Sequence, residues 1–130
     1  MEKRKMNNKG FSLVELIIVI AIMAVLIGIL APQYLRYVQQ SRVSTDIQNA
    51  QQIATAINVA IADGTTTNFG ISSGVAYGAG TSINNIPGFT SLPESRVDAT
   101  RQWNITWNFT DGVTSITLGG QDIYPDVSYN

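Results

Sequence analysis

Residues 11–31, "FSLVELIIVIAIMAVLIGILA", carry one charged side chain, and that run restricts the possible folds more than any whole-chain total. Wound as a helix it would be about 32 Å long at ~1.5 Å per residue. A bilayer's hydrocarbon core is about 30 Å thick. Lys3, Arg4, Lys5 and Lys9 stand in front of it. A basic flank of this kind stays cytoplasmic, so everything after Arg36 is expected outside. A removable secretory signal is the alternative, but its apolar core is usually shorter and ends in a small-x-small site. Here Ile29 lies two residues before Ala31, and Pro32 follows directly. The run reads as an anchor that the working protein keeps.

The lone charge is Glu15. An acid at the centre of a membrane helix costs about 2.5–3.5 kcal/mol on insertion scales. Near the helix start that cost falls, because the carboxylate reaches the interface and sits at the positive end of the helix dipole. A simple anchor tolerates it there. A sharper reading gives Glu15 a cation from another copy of the chain. Cleavage after Gly10 would create one, the new amino group of Phe11.

The stretch "KGFSLVELIIVIAIMAVLIGILAPQYLRYV" resembles the amino-terminal segment of type IV pilins and the related pseudopilins. The shared features are a short basic leader ending in Gly10, then Phe11, Glu15 at the fifth position of the chain that starts there, a long apolar helix, and Pro32-Gln33-Tyr34 with Tyr37 beyond. The specific similarity covers about the first 45 residues. The resemblance implies cleavage between Gly10 and Phe11 by a prepilin peptidase, N-methylation of Phe11, and pairing of Glu15 with the Phe11 amine of a neighbouring subunit. It implies an α+β fold, in which a long N-terminal helix packs on a small antiparallel β head. It further implies a homo-oligomeric helical filament, raised from the cytoplasmic membrane to the cell surface by an assembly platform and its ATPase, and used for adhesion, motility or aggregation. Two alternatives remain open: a pseudopilin of a type II secretion or DNA-uptake apparatus, and a single-pass protein carrying a ligand-binding β domain.

Spacing adds a contact surface. Ala21, Ala24, Gly28 and Ala31 recur at steps of three, four and three, a small-residue stripe that lets helices approach closely in a membrane. Pro32 cannot donate to the carbonyl of Gly28, and glycine is a poor helix former. The turn between them is expected to be the weak point of the rod, able to kink or unwind.

Beyond Tyr37 the pattern becomes amphipathic. Val43, Ile47, Ala50, Ala54, Ile57 and Ile61 fall on one face at helical steps, and Gly64 suits the position just past a helix end. The expected division is therefore a leader over 1–10, the polymerisation helix over 11–31, its amphipathic continuation over 32–63, and a β-rich head over 64–130. In the head, "WNITWNF" places Trp103, Ile105, Trp107 and Phe109 on one strand face, "TDG" follows as a turn, and "VTSITLG" as a second strand. A head below about 70 residues has too small a core alone, so it is expected to complete that core on the helix. Residues 70–93 read as a long surface connection, with a short strand around 75–77.

The chain has no histidine and no cysteine, which removes the commonest general base, metal ligand and disulfide. There is no nucleophile elbow and no phosphate-binding loop. Catalysis and cofactors are therefore not expected. Asp122 and Asp126 in "DIYPD" are a weak candidate for calcium, far short of a dense carboxylate loop. Without residues 1–10 the eight bases become four (Arg36, Arg42, Arg96, Arg101) and the nine acids eight, a mildly acidic body without a nucleic-acid footprint.

Overall fold

The computed structural model describes residues 10–64 and 68–129; the expected leader, apart from Gly10, lies outside them. The order is α1 (Leu13–Ala62), β1 (Ala76–Tyr77), β2 (Trp103–Asn108), β3 (Gly112–Leu118) and β4 (Gln121–Tyr124). Two compact units divide between Val38 and Gln39.

In the first unit the chain is helical from Leu13 onward, with Ser12 as its cap. Every residue from Gly10 to Tyr37 is exposed, including the whole apolar run. Helix persists through Pro32, whose ring removes one backbone hydrogen bond, to the carbonyl of Gly28, without ending the helix. Among the described residues this is the one helix long and apolar enough to cross a membrane.

The second unit is built around the rest of α1. Ala50, Ile53, Ala54, Ile57 and Ala60 are buried against the sheet and its connections. Ala50, Ala54 and Ile57 hold the centre of the expected stripe, while Val43, Ile47 and Ile61 flank it, half-buried. The buried track also takes in Asp46, Ile53 and Ala60, since the head covers the helix from one side of that line. The helix ends where Gly64 turns to φ +82° and its amide donates to the carbonyl of Ile61 at 3.0 Å.

The sheet is antiparallel throughout, in the order β1-β2-β3-β4. Trp103 pairs with Leu118 and Ile105 with Ile116, and all four are buried. The register then slips between Thr106 and Trp107, and the strand ends at Asn108. The expected four-residue aromatic face is therefore corrected at its far end. Trp107 is half-buried, edge-on to Phe69 at 5.7 Å, and Phe109 lies past the strand, 51% exposed. The extra residue of that slip is Thr114 in β3, between Val113 and Ser115, while Phe109 falls in the turn after β2 has ended. The turn is made by Asn108, whose Oδ1 accepts from the Thr110 amide at 2.9 Å, and by Gly112 at φ +79°.

The 70–93 connection is not merely a surface path. Ile71, Ile83, Ile86 and Leu92 are buried in the core beside Phe69. The Trp103 indole donates to the carbonyl of Pro93 at 2.7 Å. Backbone pairs Ile83–Thr90 and Leu92–Thr81 give the loop its own small hairpin. The expected short strand is present as Ala76–Tyr77. β4, which contains the first part of "DIYPD", buries Ile123.

Candidate assembly site

Gly10 and Phe11 lie ahead of the helix, and Phe11 is 93% exposed. Among the described residues, nothing covers the bond expected to be cut. The helix then starts with a reciprocal pair of bonds. The Ser12 amide donates to Glu15 Oε2 at 3.0 Å, and the Glu15 amide donates to Ser12 Oγ at 3.3 Å. This is the Ser-x-x-Glu capping box, which satisfies two helix-start amides at once. Sequence reasoning assigned Glu15 a role between copies and overlooked Ser12, although the three-residue spacing was in plain view. The cap turns the Glu15 carboxylate back toward the chain start, where cleavage would generate the Phe11 amine.

Ala21, Ala24, Gly28 and Ala31 are all exposed. A Cβ built on Gly28 would meet nothing within 4 Å. Within one chain, then, nothing requires glycine there. The apolar residues around the stripe are exposed in the same way, Ile27 at 61% and Leu30 at 58%. So large an uncovered apolar surface demands lipid or other helices.

Asp122 and Asp126 are both exposed. Among the described residues, no three His, Cys, Asp or Glu side chains gather where they could hold a metal. Asp98 caps a turn: the amide and hydroxyl of Thr100 donate to its Oδ1 at 2.9 and 2.7 Å. Those bonds, with the nearby Arg101 charge, hold its carboxyl below the usual 3.8. Asp46 is fully buried and accepts from Ser95, Tyr129 and the amide of Arg96; sequence reasoning missed it, and only its position in a buried helical track could have flagged it.

Comparison with known proteins bears on both units. Residues 5–31 match the family model described as the prokaryotic N-terminal methylation motif. The chain is 38% identical over 103 residues to a type IV major fimbrial protein FimA of Dichelobacter nodosus, covering 78% of this chain and 62% of that protein. It is 39% identical over 57 residues to a fimbrial protein of Pseudomonas aeruginosa, covering 44% and 37%. A probable minor fimbrial protein of Dichelobacter nodosus is 41% identical over 58 residues, covering 45% and 36%. The chain thus spans less than two thirds of the length of these relatives. No solved structure matches it significantly. The methylation-motif match and the similarity to fimbrial proteins support a type IV pilin family for a chain with one long apolar helix and a small antiparallel sheet.

Proposed function

We propose that the chain is a structural subunit of a type IV pilus. A prepilin peptidase cuts between Gly10 and Phe11, the Phe11 amine is methylated, and the helices bundle into a fibre whose heads face outward at the cell surface. Before assembly the precursor sits in the cytoplasmic membrane with its head outside. The observation that carries this reading is a wholly exposed apolar helix that begins at a capped glutamate, close behind an exposed Gly10-Phe11 bond.

The physical logic is charge cancellation. In a dry bundle an unpaired carboxylate is costly, and an amine at the start of an adjoining helix removes that cost. It does so at one axial register, whereas apolar contacts allow sliding. The small-residue stripe lets backbones approach, and Gly28 with Pro32 leaves one turn able to yield as subunits pack. Membrane partners and an ATPase platform supply the energy, since no nucleotide-binding motif is present in this chain.

The test is Glu15→Gln, which keeps size and an acceptor but removes the charge. Sheared surface material from the variant should contain at least tenfold less fibre, with the precursor still present in the membrane. Mass spectrometry of wild-type fibre should find a chain starting at methylated Phe11. Normal fibre yield from Glu15→Gln, or an intact leader in the fibre, would overturn the proposal.

A further inference from the structure

Among the described residues Asp46 is the one charged side chain that is fully buried, and its hydrogen-bond donors are neutral groups. Its Oδ2 accepts from Tyr129 Oη at 2.6 Å and from Ser95 Oγ at 2.7 Å. The amide of Arg96 donates to Oδ1 at 2.8 Å. Tyr129 is itself buried at 3% exposure, and the Arg101 guanidinium stands 5.0 Å from the centre of its ring. The four residues leading to it, Pro125, Asp126, Val127 and Ser128, are exposed. A solvated segment is thus held at its end by one buried tooth.

That segment covers an edge. β4 is one of the two edge strands of the sheet, the other being β1. The Ser128 amide donates to the carbonyl of Asp122 at 2.9 Å, and the Asp122 amide donates to Ser128 Oγ at 3.1 Å. Asp122, which lies opposite Thr117 in β3, therefore turns both backbone groups outward, and Ser128 satisfies both. A bare strand edge is a template for pairing with another extended segment.

We propose that residues 125–129 are a strap closed by a carboxylate latch, with Asp46 as the socket and the Tyr129 hydroxyl as the bolt. The strap opens as a unit while β2 and β3 stay paired. Its four exposed residues bury too little apolar surface to hold it, and regions of that kind open at low free energy. Opening uncovers the Asp122 amide and carbonyl, so the latch decides whether this stretch of the sheet edge is covered. The inference does not depend on fibre formation.

Hydrogen exchange on the full-length chain in detergent tests it, comparing wild type with Tyr129→Phe, which keeps the ring and removes the bolt. Exchange at Asp122 and Ser128 should quicken at least tenfold, with rates in β2 and β3 within twofold of wild type. Ser128→Ala should quicken Asp122 alone, because the strap stays latched. Unchanged rates at Asp122 and Ser128 in Tyr129→Phe would sink the latch, as would equal acceleration across the whole head. Unchanged exchange at Asp122 in Ser128→Ala would sink the edge cover.

Discussion

Tyr129 Oη lies 2.6 Å from Asp46 Oδ2, joining two residues 83 positions apart in the chain. The bond ties the helix to the last described residue, in a protein that has no cysteine to make such a closure covalently. The Ser95 and Tyr129 hydroxyls and the amides of Arg96 and Val97 all converge on the Asp46 carboxyl.

Truncating the acid should therefore be severe. Asp46→Ala removes the acceptor of two hydroxyls and of the Arg96 and Val97 amides, and each buried group left without a partner costs about 1–3 kcal/mol. The expected loss is about 3 kcal/mol or more. Asp46→Asn should cost less, since the amide oxygen still accepts and both hydroxyls can rotate. Urea unfolding of the full chain in detergent, followed by fluorescence of Trp103 and Trp107, measures both; equal stability of Asp46→Ala and wild type would contradict the account.

Alkali should release the same closure. Burial, and then the bond to Asp46, push the Tyr129 phenol above its ordinary 10.0. A folded value above the unfolded one means the contribution is complete below about pH 10 and is lost as pH rises through the folded value. Tyrosinate absorbance should show one late-ionising tyrosine, and that step should vanish in Tyr129→Phe.

The β2–β3 turn should not accept a side chain at Gly112. Its φ is +79°, and a Cβ there would run into the Asn58 side-chain oxygen, which accepts from the Val113 amide at 2.7 Å. Strain of that kind costs of order 1–3 kcal/mol, before counting the displaced bond between helix and sheet. Gly112→Ala is expected to lower the unfolding midpoint, whereas Gly120→Ala, strained by φ +81° but with open space around it, should cost less.

The two ends of the aromatic strand should respond differently. Trp103 is fully buried and hydrogen-bonded to Pro93, so Trp103→Ala should cost about 3–5 kcal/mol. Phe109 is half exposed beyond the end of β2, so Phe109→Ser should cost under about 1 kcal/mol. Unfolding midpoints of the two variants give the comparison.

In the proposed fibre, replacing Gly28 and Pro32 together by Ala should stiffen the rod, because it restores a backbone bond and removes the weakest helix former. Force–extension curves on single fibres should show reduced stretching; unchanged extensibility would argue against a yielding turn.

The apolar helix, the helix end at Gly64 and the hairpin at "TDG" were legible because each depends on residues close in sequence. Local chemistry also specifies the Ser12–Glu15 cap, which was readable but overlooked. The buried half of the loop was harder to see. Ile71, Ile83, Ile86 and Leu92 have no period, and only the space between helix and sheet gives them a common destination. Phe109 failed for a related reason: strict alternation places it inside, but β2 ends at Asn108 and Phe109 falls in the turn beyond it.

By itself the sequence determined a long apolar helix with one acid near its start, followed by a small β head, because hydrophobic run length and turn chemistry are local properties. Tertiary structure alone decided that Asp46, an acid on an amphipathic helix, is buried and bonded to Tyr129. That outcome depends on donors brought together from Ser95, Arg96 and Tyr129, residues 49 to 83 positions away from Asp46. Nothing near Asp46 in the chain announces them. Only packing the head onto the helix gathers the donors that satisfy a buried carboxyl group.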